Sequence, residues 1–224
     1  MRCKKCILGL TGPTGGGKST VARFLQCTKS RVLWLDADKI AHYVMATPPV
    51  RDEILAAFGT SDRKRLADIV FVDAEKRTLL ESIVHPAVCT AIADEIRNAD
   101  ADLLVIDAVL LEEAGLNKLC DAVWLVTAPN GMRRARIIGR DALDDIAADA
   151  RLANQRDYDG KYAAVLVNDG DEDELHRQIM AILAVDEFEN TIPTKRSIGF
   201  AKGEEIPDSF FEPLPEEELK LWGL

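Results

Sequence analysis

No run of about 18 consecutive apolar residues occurs in this chain, so a membrane-spanning helix is not expected. A basic excess is also missing: 28 Lys and Arg stand against 38 Asp and Glu, a formal net charge of -10. Proteins that grip nucleic acid neutralise its phosphates with clustered cations. Nucleic acid is therefore not expected as a partner, although a few arginines in one cleft can hold a small polyanion against the overall sign. Cysteine is odd in number and scattered (Cys3, Cys6, Cys27, Cys89 and Cys120), which argues against a disulfide framework. Cys3 and Cys6 form a C-x-x-C pair, but a structural zinc needs four spaced ligands and no second pair follows. Reduced thiols are expected. The first residues are basic yet carry neither the apolar stretch nor the cleavage signal of a secretory leader, so the expected location is cytoplasmic. There is no internal repeat.

What is present is an alternation of short β-branched runs with longer helical patterns, the signature of a parallel sheet with crossover helices. Strands are predicted at 6–11, 31–35, 103–107, 122–126 and 164–167. Runs such as LLVID and AVWLV suit strands covered on both faces. Helices are predicted at 18–26, 132–154 with a turn near Asp141, and 171–183. Between the second and third strands, helical spacing recurs at Ile54, Leu55 and Phe58, at Leu66, Ile69 and Val70, and from Leu79 to Ile96. Pro86 is expected to break or restart the last of these helices. This insertion, 48–100, is far longer than a simple crossover and reads as a helical cap over the sheet edge. Residues 1–185 form one α/β domain on this reading. Residues 186–224 carry ten acidic and four basic side chains with four prolines, a poor core former. They read as a tail, with Phe210, Phe211 and Trp222 suited to docking on the body.

The strongest motif is Gly12-Pro13-Thr14-Gly15-Gly16-Gly17-Lys18-Ser19, a match to G-x-x-x-x-G-K-[ST]. The chemistry explains the residue types. Backbone N–H groups must converge on phosphate oxygens, and glycine reaches the required dihedrals at least cost. Lys18 supplies a point charge for the β- and γ-phosphates, and the Ser19 hydroxyl is a ligand for Mg²⁺. The helix that follows directs its positive end at the anion. An apolar strand precedes the motif and an amphipathic helix (Val21, Phe24, Leu25) follows, as a P-loop nucleotide-binding fold requires. Residues 12–20, including Thr20, are the expected ATP-binding segment.

Asp36 and Asp38 close the second strand, where parallel sheets place their ligands. Two apart in an extended segment, they would share one face. Either a proton-accepting or metal-water role or a helix-capping role is open to each. Asp107 ends the third strand and is open to the same two readings: a partner for Mg²⁺ and substrate, or a cap. Arg133, Arg136 and Arg140 share one helix face. They form either a solvated basic surface or a lid over 132–160 that closes on the triphosphate and stabilises the transferring group. Arg140, before the turn, leads that lid reading and Arg136 follows it. Asn168 and Gly170, after the fifth strand, either line the adenine site or form a plain turn.

Gly9-Leu-Thr-Gly-Pro-Thr-Gly-Gly-Gly-Lys-Ser-Thr20 followed by Asp36-Ala-Asp38-Lys-Ile-Ala resembles the dephospho-CoA kinase family. Arg65-Leu-Ala-Asp-Ile-Val-Phe71, Ile83-Val-His85-Pro86, Val105-Ile-Asp107-Ala-Val-Leu-Leu111 and Val165-Leu-Val-Asn168-Asp-Gly170 extend the resemblance in order, over residues 6–185. The resemblance implies ATP-dependent phosphorylation of the ribose 3′-hydroxyl of dephospho-CoA, the last step of coenzyme A synthesis. It implies Asp38 as the base and supports an arginine at the Arg140-Asp141 pair. It puts His85 in the acceptor-binding cap and His42 on the acceptor side. A monomer or weak homo-oligomer is the expected assembly. A different P-loop small-molecule or nucleoside kinase, or a nucleotide-binding regulatory module, would share the loop and the sheet. No guanine-reading N-K-x-D occurs, and the third strand lacks the Asp-Glu ending of AAA-type ATPases.

Overall fold

The computed structural model describes residues 5–141, 144–153 and 158–184. Cys3, six residues of the 132–160 lid region and the 186–224 tail lie outside these. Five parallel strands form one sheet: β1 (Cys6–Thr11), β2 (Val32–Asp36), β3 (Leu103–Asp107), β4 (Ala122–Thr127) and β5 (Ala164–Val167), in the order β2-β3-β1-β4-β5. The N-terminal strand is thus central. In the register, Leu10 lies opposite Asp107, and Asp107 opposite Asp36. The carboxyl ends of β1, β3 and β2 therefore finish level and deliver three polar segments to the same end of the sheet.

Helices cover both faces, which is why the strands read as continuous apolar runs. On one face α1 (Lys18–Thr28) and α8 (Glu172–Ala184) close over Leu8, Leu10, Val105, Trp124 and Val126. Phe24 and His176 stack between these helices at 3.9 Å. The other face is covered by α2 (Ala37–Ala46), α3 (Pro48–Phe58), α4 (Arg63–Val72) and α5 (Ala74–Asn98), which pack Val44, Ile54, Leu66, Val84, Val88 and Ile92 against Leu35, Leu104 and Ile106. Each such fully buried aliphatic side chain contributes about 1.5–3 kcal/mol. Aspartates start three of these helices. Asp36 accepts from the Lys39 amide, Asp62 from that of Arg65, and Asp73 from those of Glu75 and Lys76. The helical insertion predicted at 48–100 is α3 to α5. Beyond β4, α6 (Asn130–Asp141) ends at Asp141 and α7 (Asp145–Ala153) follows.

Three local expectations change. The second strand begins at Val32, because Arg31 sits in the left-handed region at φ 60 and turns the chain. Pro86 neither breaks nor restarts a helix: α5 runs unbroken through it. Proline costs one amide donor and a steric clash, but Ile83, Val84, Val88 and Ile92 anchor the helix to the core on both sides. Asp36 and Asp38 do not lie in one extended segment, since the chain changes from strand to helix between them. Among the described residues no helix is long and apolar enough to cross a membrane.

Candidate active site

The Gly12–Ser19 loop joins the central strand to α1. Gly12 has φ 136, and a side chain there would overlap the Val126 carbonyl of β4, as would one at Gly16. The loop is therefore pressed onto the neighbouring strand, and glycine is required by both conformation and space. Gly17, at φ 107, is the residue before α1 and offers no side-chain cap, so the helix meets the loop with its amides uncapped. Among the described residues, the amides of Gly15, Gly17, Lys18 and Ser19 have no acceptor. Lys18 is buried, 8% exposed, and its Nζ donates to the carbonyls of Gly12 (2.8 Å) and Pro13 (3.4 Å). Burial pulls its pKa down, while Asp107 and Asp38 act to raise it.

Beside the loop, the Ser19 hydroxyl donates to Asp107 Oδ2 at 2.9 Å. Asp107 is 6% exposed, and its pKa is pushed up to about 6. Burial is the main cause. Lys18 and the Ser19 bond oppose it, and the nearby carboxylates of Asp36 and Asp38 add to it. Asp36 is committed to the start of α2, accepting from the Lys39 amide at 3.1 Å and pairing with Lys39 Nζ at 3.1 Å. Asp38, in the first turn of α2, is exposed, and its charge is felt by Lys18, Asp107 and Arg140. One strand-to-helix junction thus gives its two carboxylates different surroundings. One holds the backbone, and the other remains open beside the loop.

The three arginines of α6 also divide. Arg133, 8% exposed, donates from Nε to the Thr14 carbonyl (3.1 Å) and from Nη1 to Asn130 Oδ1 (2.8 Å). Arg136 donates from Nη1 to the Gly15 carbonyl (3.2 Å) and from Nη2 to the carbonyl (3.2 Å) and Oδ1 (3.1 Å) of Asn168. Asn168 is buried and donates from Nδ2 to the Gly16 carbonyl at 3.0 Å. Arg140 is exposed and forms a two-point pair with Asp141 (2.7 and 2.9 Å), which also receives Arg151 Nη1 from α7 at 2.7 Å. The Asp141 bonds and charge hold the Arg140 pKa up, with Asp38 adding to them, and Arg140 reciprocally holds Asp141 down.

The loop, Asp38, Asp107, Arg136, Arg140 and Asn168 therefore gather at the carboxyl end of the sheet. His42 is exposed on α2, one helical turn past Asp38. His85 is half-buried midway along α5, and its side chain makes no hydrogen bond to a described residue. Gly170 lies against Glu174 of α8, and no bond to the loop involves it. Arg133 was not singled out as a site residue. Its three-residue spacing from Arg136 puts it on the face open to the lid reading, but nothing in the sequence directs it to the Thr14 carbonyl.

The dephospho-CoA kinase family model matches residues 6–174. A dephospho-CoA kinase of Geobacter metallireducens is 38% identical over 191 residues, covering 79% of this chain and 94% of that protein. One from Moorella thermoacetica is 40% identical over 162 residues, covering 66% and 76%. A crystal structure from Thermus thermophilus superposes with a TM-score of 0.69 at 32% identity, covering 80% of this chain and 97% of that one.

Proposed function

The chain belongs to the dephospho-CoA kinase family and is an ATP-dependent kinase; we propose that Asp38, Lys18 and Arg140 carry its transfer of the γ-phosphoryl group of ATP to the ribose 3′-hydroxyl of dephospho-CoA. The acceptor oxygen bonds to the γ-phosphorus as the bond to the β,γ-bridging oxygen breaks, and ADP leaves. Such transfer depends on positioning and charge neutralisation, with one group to receive the proton. Asp38 accepts the hydroxyl proton. Its exposure leaves it open to an incoming alcohol, and its coupling to Lys18 and Arg140 puts it beside the phosphate-binding groups.

Lys18 exchanges its bonds to the Gly12 and Pro13 carbonyls for the β- and γ-phosphates, and the open amides of Gly15, Gly17, Lys18 and Ser19 receive phosphate oxygens. Arg140, tethered by Asp141 rather than by the loop, stabilises charge on the transferring group. Ser19 and Asp107 would hold Mg²⁺. An exposed hydroxyl bonded to a buried carboxylate beside the loop suits this cation, which binds through one or two protein oxygens plus phosphates and water rather than a full protein cage. Bound there, it supplies neutralisation of the polyphosphate charge. His42 and His85 belong to the acceptor side, on helices that pack together over the sheet. A cytoplasmic monomer or weak homo-oligomer completes the proposal.

The observation that carries this reading is the Ser19–Asp107 hydrogen bond beside a buried Lys18, with Asp38 in electrostatic reach of both Lys18 and Arg140. The test is direct transfer from MgATP to a panel of acceptors including dephospho-CoA, with the product identified as the 3′-phosphorylated coenzyme. Lys18→Ala should abolish transfer. Product from a different acceptor alone would overturn the substrate assignment.

A further inference from the structure

Three consecutive carbonyls of the loop are each held by a side chain from outside it. Thr14 accepts from Arg133 Nε, Gly15 from Arg136 Nη1, and Gly16 from Asn168 Nδ2. A trans peptide plane is rigid, and its C=O and the next residue's N–H point in opposite directions. Fixing a carbonyl outward therefore fixes the following amide the other way. Arg133 on Thr14 sets the amide of Gly15, and Asn168 on Gly16 sets that of Gly17. Neither amide has an acceptor among the described residues. Arg136 on Gly15 sets the amide of Gly16, which donates to the Pro13 carbonyl at 3.0 Å and closes the turn.

We infer that Arg133, Arg136 and Asn168 are positioning residues, a three-point clasp that fixes the peptide planes of the phosphate loop before nucleotide arrives. The clasp is itself braced. Arg136 Nη2 donates to Asn168 Oδ1, so the Asn168 amide can present only its nitrogen to Gly16. The Asn168 backbone N–H donates to the Thr127 carbonyl at 2.7 Å, continuing the β4–β5 pairing. Gly17 leaves the space that Asn168 Nδ2 occupies, and a side chain there would overlap it. Arg133 is buried, and desolvation pulls its pKa down. A buried guanidinium is retained only where its donors are used, and two of its donors are spent on the loop and on Asn130.

This inference rests on the loop binding a polyphosphate, so MgATP binding by the unaltered enzyme is measured first; its failure would sink the kinase reading, not the clasp. The clasp is then tested on the full chain with Arg133→Met and Asn168→Asp, using calorimetry with MgATP and with Mg²⁺-tripolyphosphate, a ligand without adenine. Losing the charge-assisted bond from Arg133, or the neutral one from Asn168, should weaken both ligands by a similar factor, roughly 10- to 100-fold, with the KM for the acceptor unchanged. The amide resonances of Gly15 and Gly17 should shift or broaden in the nucleotide-free variants, because the loop itself is altered. Tripolyphosphate binding as tight as in the unaltered enzyme would overturn the clasp. So would loop amide resonances that superpose on the unaltered ones, since a direct ligand contact leaves the empty loop intact. Should Arg133→Met fail to fold, Asn168→Asp carries the test. It keeps the acceptor for Arg136 but turns an oxygen on the Gly16 carbonyl.

Discussion

Replacing Asp107 by Asn should make the nucleotide-free enzyme more stable while ending its activity. Asp107 is buried with its pKa at about 6, against the ordinary aspartate value of 3.8. The folded protein therefore holds a proton there to higher pH than the unfolded chain does. Between these two values the native state binds more protons, so stability falls as pH rises. Above about pH 6 the full cost of keeping the carboxylate ionised is present, roughly 3 kcal/mol at 1.36 kcal/mol per pH unit. Asparagine keeps an oxygen to accept from Ser19 and carries no charge. Urea unfolding in EDTA should show the variant more stable by up to about 3 kcal/mol at pH 7.5, by about half that near pH 5, and by nothing below 3.8. Equal or lower stability at pH 7.5, or a difference that does not shrink on acidification, would refute the argument. The same variant should lose phosphoryl transfer, because the oxygen pair assigned to Mg²⁺ is gone.

Asp38→Asn should lower kcat by about 100-fold or more while leaving the KM for ATP within a few-fold, the loss expected of a general base; full activity in steady-state assays would remove Asp38 from that role. Gly17→Ala should weaken nucleotide binding by at least about 10-fold with the fold retained, because φ 107 and the neighbouring Asn168 leave no room for a methyl group; titration calorimetry beside circular dichroism checks it. Ile92→Ala, at a side chain with no exposed surface, should cost about 2–5 kcal/mol in urea unfolding and leave kcat near its normal value at low temperature.

The five strands and the loop were legible in the sequence because each rests on local information: apolar runs for buried strands, and glycines with one lysine and one hydroxyl for the loop. The helical insertion was legible for the same reason. The separate fates of Asp36 and Asp38 were not, because they depend on where strand becomes helix, and a carboxylate in either conformation looks alike in sequence. Pro86 misled because its local penalty is real but smaller than the packing of the 25-residue helix α5 around it. Arg133 and Arg136 showed their shared face by spacing, yet the object that face meets is set by the sheet order. That order puts β4 beside β1 and brings the start of α6 down on the loop.

The loop's outer partners are also its most distant ones along the chain: 119 residues separate Arg133 from Thr14, 121 separate Arg136 from Gly15, and 152 separate Asn168 from Gly16. During synthesis the glycine-rich segment leaves the ribosome well before Arg133 and Arg136, and Asn168, 152 residues beyond Gly16, follows later still. A nascent chain therefore carries the ATP-binding motif long before it has the means to shape it. Competence to bind nucleotide arrives late and together with the closing strand, so an unfinished molecule has little capacity to consume ATP.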